Sequence, residues 1–337
     1  MTEICVFGAG SIGCYVGGRL QAGGAQVRFV GRPRLQAEVQ QYGLQLTDFY
    51  GADLHVPAAK LRYDTSPAAA TKADMALVTV KSAATADAAR QLAGVLRRGA
   101  VVLSLQNGIG NDAVLRRLLP NQVVLAGMVP FNVLHRGEGR FHQGSEGDLA
   151  AATHAALGPF VPAFEQAGLP LHQYPDLLAV QWAKLLLNLN NPVNALSGVP
   201  LKEELSQRAY RRCLAAAQDE ALGLLDAAGI RPAKLTPLPA RWIPRMMSLP
   251  DWVFRRLANK MIAIDPLARS SMWEDLEAGR ATEIDWINGE LLKLAQQFGR
   301  KAPVNARLVA LIREAEKGGK RDWSGEELLA DLLAQQA

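Results

Sequence analysis

The stretch Phe7-Gly8-Ala9-Gly10-Ser11-Ile12-Gly13 decides how this chain is read. Its three glycines are spaced G-x-G-x-x-G. A short apolar run, Glu3 to Phe7 (EICVF), precedes them, and an apolar run of helical character, Ile12 to Leu20, follows. Strand, tight turn and helix in that order are the setting in which this spacing reads as the first βα turn of a dinucleotide-binding domain. Gly8 allows the turn, Gly10 lets a pyrophosphate approach the backbone, and Gly13 lets helix and strand pack closely. The start of the helix offers unpaired N–H groups to phosphate, so Ala9, Ser11 and Ile12 complete the candidate cofactor loop.

Outward from the loop, apolar strand runs alternate with helical stretches. Gln26–Val30 (QVRFV), Met75–Val80 (MALVTV), Val101–Leu105 (VVLSL) and a run starting at Val123–Ala126 read as strands of a parallel sheet covered on both faces. Residues 1–173 are therefore read as an α/β, Rossmann-like, doubly wound domain that binds NADP. Gly139–Gly147 (GRFHQGSEG) reads as glycine-punctuated turns near its end. From about Asp176 helical periodicity takes over. Asp176–Leu189, Ser206–Ala228 and Ile284–Phe298 are predicted helices, and residues 174–337 are read as an all-helical substrate and dimerisation domain.

An NAD-binding domain places an acid at the end of the second strand to hold the ribose hydroxyls. Here no Asp or Glu occurs between Ile4 and Ala37, and the strand runs into Gly31-Arg32-Pro33-Arg34. A guanidinium suits a phosphate, so the expected cofactor is NADP(H), with Arg32 on the 2′-phosphate. Ligands of such folds lie outside the carboxyl ends of strands. Lys81, after the fourth apolar run, and Asn107, followed by Gly108 and Gly110, stand at two such ends. Lys81 could meet phosphate or carboxylate, and Asn107 could orient nicotinamide or substrate.

The bulk composition narrows the classes. The chain has 337 residues, 49% hydrophobic and 20% charged. No stretch approaches the ~18 uninterrupted apolar residues of a membrane span. Cys5, Cys14 and Cys213 show no paired spacing, which predicts reduced thiols and a cytoplasmic protein. The five scattered histidines make no metal-ligand pattern, so no metal is expected. The formal net charge is +5, and the base-rich part, Arg231–Lys260, holds seven Lys/Arg against Asp251. No nucleic-acid module accompanies it. It reads as a proline-containing, solvated excursion, or as a segment that attracts an anionic ligand.

Gln181–Leu196, QWAKLLLNLNNPVNAL, carries the second constellation. On a helix Gln181, Lys184, Asn188 and Asn191 fall within about 80° of one another, and leucines occupy most of the rest. A lysine on an apolar helix needs partners or a cleft. Such a lysine can donate a proton to a ketone oxygen as hydride reaches the carbon. Asn188, one turn on, could hold the lysine or the substrate. The ring of Pro192 conflicts with the Asn188 carbonyl, so the helix should kink or end there. Further on, in SSMWEDLEAGRATEIDWINGE, Ser271 with Glu274 and Thr282 with Asp285 have capping-box spacing, and Glu283 suits a first helical turn.

GAGSIG, Lys81, LQNGIG, WAKLLLN and SSMWEDLEAGRATEIDWINGE together closely resemble the ketopantoate reductase (2-dehydropantoate 2-reductase) family, over nearly the whole chain. The resemblance implies an oxidoreductase that reduces 2-dehydropantoate to (R)-pantoate with NADPH in pantothenate biosynthesis. It implies Lys184 as catalytic acid and Asn188 and Ser271 as substrate ligands. Asn107 would meet cofactor and substrate, and Glu283 and Lys81 the cofactor. Two departures stand out. Pro192 occupies the position of a second family asparagine, with Asn191 beside it as the candidate replacement and Asn194 displaced. Leu201 stands near Pro200 where a further substrate asparagine is usual. A paralogue acting on another branched 2-keto acid, or an NADP-binding sensor without turnover, are the alternatives. Apolar faces on the helical domain also allow a homodimer.

Overall fold

A period of two runs through the buried strands and sets both faces of the main sheet. Ile4, Val6, Met75, Leu77, Val101 and Leu103 enter one apolar core, while Cys5, Phe7, Ala76, Val78 and Val102 enter the other. Alternation with burial on both faces is what a covered parallel sheet requires. The computed structural model describes residues 2–257 and 268–335. The chain divides into two units, Met1–Leu177 and Leu178–Ala337.

The strands of the first unit are β1 (Glu3–Phe7), β2 (Gln26–Val30), β3 (Leu44–Asp48), β4 (Asp53–Val56), β5 (Arg62–Asp64), β6 (Met75–Val78), β7 (Val101–Ser104), β8 (Val123–Met128), β9 (Val133–His135), β10 (Arg140–Gln143), β11 (Leu149–Ala152) and β12 (Leu171–Tyr174). The larger sheet runs β12-β11-β8-β7-β6-β1-β2-β5. From β5 to β8 all pairings are parallel, and β11 turns antiparallel on β8. In chain order those six parallel strands lie third, second, first, fourth, fifth, sixth, which is the Rossmann arrangement with its switch point between β1 and β6. The doubly wound α/β reading of the first part is thus borne out.

Helices α1 (Ser11–Ala22), α2 (Pro33–Tyr42), α3 (Thr85–Ala93), α4 (Asn111–Leu118) and α5 (Val161–Gln166) belong to this unit. A second sheet, β4-β3-β10-β9, packs on α1. Close approach there needs glycine: a Cβ on Gly18 would sit 2.8 Å from a methyl of Leu46. The predicted turns of Gly139–Gly147 are corrected by this sheet, because Arg140–Gln143 pairs as β10 with both β3 and β9.

The second unit carries helices α6 (Leu177–Asn188, its first residue in the first unit), α7 (Asn190–Ser197), α8 (Leu201–Ser206), α9 (Arg208–Ala227), α10 (Ile243–Met247), α11 (Asp251–Leu257), α12 (Ser271–Glu277), α13 (Asn288–Gln297), α14 (Pro303–Ala315) and α15 (Gly325–Ala334). No strand occurs among its described residues. One helix expectation is met and two readings change in detail. Pro192 lies in the first turn of a new helix after a break at Leu189, as its ring demands. Ser206–Ala228 divides between α8 and α9, and Ile284–Phe298 divides into a 3₁₀ turn, Ile284–Trp286, and α13.

The described bases of the Arg231–Lys260 excursion, Arg231, Lys234, Arg241, Arg245, Arg255 and Arg256, are exposed, in keeping with the solvated reading, but the segment is partly helical and anchored. Fully buried Arg211 donates to the carbonyls of Met247, Leu249 and Leu205 and stacks 4.1 Å over Phe254. It also pairs with Asp251 at 2.9 Å. Lys260 itself lies outside the described residues. Among the described residues, no helix is long and apolar enough to cross a membrane. The three cysteines are buried and unpaired, and burial pushes the thiols of Cys5 and Cys213 up to about 12.

Candidate active site

Each glycine of the loop has its own physical reason. Gly8 has φ +97°, and a Cβ there would lie 2.5 Å from the Val80 amide nitrogen, beyond β6. The loop therefore crosses the switch point where only glycine fits. A Cβ on Gly13 would lie 2.6 Å from Thr79 Oγ1 and 2.8 Å from a Val6 methyl, so this glycine sets the α1–β1 distance. A Cβ on Gly10 would meet nothing closer than the Gly8 carbonyl at 3.9 Å. That side of the loop is open, as approach by a phosphate needs. The first-turn N–H groups of α1 have no acceptor within the helix and aim at the same space. The loop thus fits a dinucleotide pyrophosphate.

The remaining candidates of the first unit fall on neighbouring strand ends. Arg32 is exposed just beyond β2 as the residue before α2, Lys81 is exposed beyond β6, and Asn107 is half-buried beyond β7. With the glycine loop after β1, they line four adjacent strand ends around the switch point. Arg34, the other arginine after β2, lies near Glu38 and helps lower that carboxyl's pKa. Glu38 already accepts from the Gly139 amide at 2.8 Å and from the His135 ring at 2.6 Å. Parallel pairing also brings Asp64 beside Val30, an acid that the linear interval does not reveal.

In the second unit the polar stripe is real. Gln181, Lys184, Asn188 and Asn191 are half-buried, while Trp182, Ala183, Leu185, Leu186 and Leu189 are buried. Part of Lys184 stays accessible, but burial of its ammonium end lowers its pKa to about 8. The charged form is disfavoured by desolvation, the direction in which an acid is tuned toward neutral pH. Asn188 closes α6 and Asn191 stands in the first turn of α7, so the break between them bends the stripe.

Ser271 needs a correction of its local role. The N-cap of α12 is Ser270, whose Oγ accepts from the Trp273 amide at 3.2 Å and donates to the Asn191 carbonyl at 3.2 Å. That frees Ser271, half-buried as the first residue of α12, from capping. Thr282 is likewise no box partner of Asp285. Its Oγ1 accepts from the Ile284 amide at 3.3 Å, and Asp285 pairs with Arg313 at 2.6 Å. Glu283 is half-buried immediately before the 3₁₀ turn rather than within a helical turn. Asn194 is fully buried, with its amide spent on the Val199 carbonyl, the Glu204 carboxyl and the Ser270 amide. It is a brace, and Asn191 is the asparagine with access.

Sequence reasoning missed the residues that hold these loops. The Thr79 hydroxyl donates to the Gly8 carbonyl at 2.9 Å, and the Tyr63 hydroxyl donates to the Ala9 carbonyl at 3.0 Å. Thr79 had a signal, a hydroxyl inside an apolar strand run, whereas Tyr63 had none. Beneath Asn107, Ser82 Oγ and Asn111 Nδ2 both donate to its carbonyl at 2.9 Å. Buried Gln106 donates to the Val80 carbonyl at 3.0 Å and to Thr85 Oγ1 at 2.7 Å. This net fixes the backbone that presents Lys81 and Asn107. Among the described residues, no group of three His, Cys, Asp or Glu could hold a metal.

Residues 4–155 match the family described as "Ketopantoate reductase PanE/ApbA", and residues 176–316 match "Ketopantoate reductase PanE/ApbA C terminal". The chain belongs to the ketopantoate reductase family. It is thereby an oxidoreductase of a family that acts on CH–OH groups. The 2-dehydropantoate 2-reductase of Archaeoglobus fulgidus is 29% identical over 325 residues, 94% of this chain and 98% of that protein. The Halobacterium salinarum protein of the same name is 29% identical, covering 94% of this chain and all (100%) of its own. A solved PanE/ApbA family ketopantoate reductase from Ralstonia eutropha superposes with a TM-score of 0.80 at 28% identity, covering 94% and 99% of the two chains. A D-mandelate dehydrogenase solved with NADH and anilino(oxo)acetate shares the fold, with a TM-score of 0.77 at 19% identity, covering 94% and 99%.

Proposed function

We propose that this protein reduces 2-dehydropantoate to (R)-pantoate with NADPH, as a step of pantothenate biosynthesis, with Lys184 as general acid. The observation that carries this reading is Lys184 itself, a lysine on an apolar helix whose pKa burial brings to about 8. Its relatives named 2-dehydropantoate 2-reductase, matched over nearly their full lengths, support the substrate. Bound NADPH supplies the hydride that reaches the keto carbon. The N–H groups of Gly8, Ala9 and Gly10 are spent on the Val30 and Gly8 carbonyls and shape the loop, so those of Ser11, Ile12 and Gly13 are the ones assigned to the pyrophosphate, with Arg32 on the 2′-phosphate and Lys81 on a phosphate or carboxylate. Glu283 is assigned to the cofactor. Asn107, Asn188, Asn191 and Ser271 orient the keto acid. As charge grows on the keto oxygen, the Lys184 ammonium stabilises it and gives up a proton, leaving a neutral amine that water reprotonates.

The test is NADPH oxidation followed at 2-dehydropantoate saturation, with NADH in parallel. The reading predicts turnover with NADPH that falls sharply with NADH. No oxidation with NADPH would contradict it. Pro192, buried in α7, and Leu201, opening α8, stand where the resemblance would put substrate asparagines. They favour a second reading, reduction of another branched 2-keto acid by the same chemistry. A keto acid panel ranked by kcat/KM separates the two.

A further inference from the structure

Glu204 is fully buried in the helical unit, and among the described residues its hydrogen-bonding partners are amides rather than cations. Its Oε2 accepts from Asn194 Nδ2 at 2.7 Å. Its Oε1 is buried without a hydrogen-bond partner, and so is Oδ1 of Asn190. Asn190 and Asn194, both on α7, are the side chains that act on this carboxyl. From α9 the titratable groups that sense it are Tyr210 and Cys213. The Tyr210 hydroxyl already donates to the Trp323 carbonyl at 2.7 Å, and Cys213 is a buried thiol. A carboxylate there would leave Oε1 buried with no donor, while Asn190, whose amide bears on the carboxyl, keeps a buried oxygen that also lacks one. A proton on Oε1 removes that buried unpaired charge and supplies a donor of the kind the Asn190 oxygen lacks.

The same side chains reach the elements of the second unit that carry the proposed substrate ligands. Asn190 begins α7 at the break that separates Asn188 from Asn191. Asn194 Oδ1 accepts from the Ser270 amide at 2.8 Å, and Ser270 Oγ donates to the Asn191 carbonyl. Glu204 therefore ties together the α6–α7 break and the start of α12, which carry Asn188, Asn191 and Ser271. We propose that Glu204 is a protonated, neutral positioning residue that fixes the substrate-binding asparagines and Ser271 through Asn190, Asn194 and Ser270. This rests on the reading of those residues as substrate ligands. Burial raises the Glu204 pKa to about 8 against the lowering effect of the two amides, in agreement with the geometry.

Two measurements test it. The infrared difference spectrum of the wild-type protein minus Glu204→Gln at neutral pH should show the C=O stretch of a buried carboxylic acid. Its absence would mean that Asn190 turns its NH₂ group to a carboxylate, and the proposal fails. In steady-state kinetics Glu204→Leu should raise the KM for 2-dehydropantoate about tenfold, the scale of orphaning buried amides. The NADPH KM should hold, and Glu204→Gln should restore the keto acid KM. A folded Glu204→Leu enzyme with an unchanged keto acid KM overturns the positioning role. Should that variant not fold, Ser270→Ala cuts the same chain one link on and takes its place. If the wild type turns over a different keto acid, that acid replaces 2-dehydropantoate in the kinetics. If it turns over none, the functional reading fails, and the infrared band still decides the protonation of Glu204.

Discussion

As the proposed general acid, Lys184 would work at the point where two demands oppose each other. Proton donation needs the ammonium form, and burial disfavours it. With a folded pKa of about 8, the lysine is mostly protonated at neutral pH and yields its proton more readily than a surface lysine. Reduction should therefore hold level below that pH, and kcat/KM for the keto acid should fall as pH rises through about 8. Lys184→Ala should lower kcat by ~10²-fold or more, the usual scale for a positioned acid. The same lysine strains the fold. Its folded pKa lies below the ordinary 10.5, so the folded state carries a disfavoured charge at neutral pH. That strain is relieved as pH rises from about 8 to 10.5. Lys184→Met should accordingly raise Tm at neutral pH, with the gain shrinking over that interval; a lowered Tm would contradict the strain. At Gly8 the constraint is steric. Gly8→Ala should destabilise by ~1–3 kcal/mol through the left-handed backbone alone. Its overlap with Val80 should also abolish NADPH binding, which fluorescence titration would register.

At the scale of elements, the sheet and its loops carry different amounts of local signal. β1, β2, β6, β7 and β8 were legible because each is an apolar run buried on both faces. β3, β4, β9 and β10 were not. Leu44 and Leu46 alternate with polar residues on a strand of five, and β9 has three residues. Their pairing is decided by α1, whose Gly18 makes room for Leu44 and Leu46. The break at Leu189 was legible because Pro192 imposes it locally. The capping shift from Ser271 to Ser270 was not, because Asn191 and Asn194 enforce it from another helix. Glu204 is the same kind of case, a charged letter on a short helix whose burial comes from α7 and α9. Its stability effect has a definite sign. The folded pKa, about 8, stands above the ordinary 4.5, so the unfolded chain ionises first and stability is lost as pH rises between those values. The Tm of Glu204→Gln relative to wild type should grow more favourable over that interval in a melting series. A constant difference would mean that Glu204 is ionised throughout.

For the whole molecule, sequence motifs carried the family and the order of the two parts, because the glycine loop and WAKLLLN are local patterns with local causes. What they did not carry is the support: Tyr63 on Ala9, Thr79 on Gly8, and the Gln106–Thr85–Asn111 net under Asn107 are contacts between distant segments. The cofactor assignment belongs to this scale too, since Asp64 reaches the end of β2 only through the β2–β5 pairing. Arg32→Ala should raise the KM for NADPH by about tenfold, near the lower end of the range for hydrogen bonds to charged groups, and leave that for NADH nearly unchanged. Equal effects on both would remove Arg32 from the 2′-phosphate. The central claim is that a nicotinamide loop and a buried lysine serve one reduction. It is tested most directly by single-turnover oxidation of enzyme-bound NADPH on mixing with 2-dehydropantoate, for wild type and Lys184→Ala. The account predicts rapid oxidation by the wild type and a rate ~10²-fold slower in the variant, with NADPH still bound. Equal rates in the two proteins would contradict it.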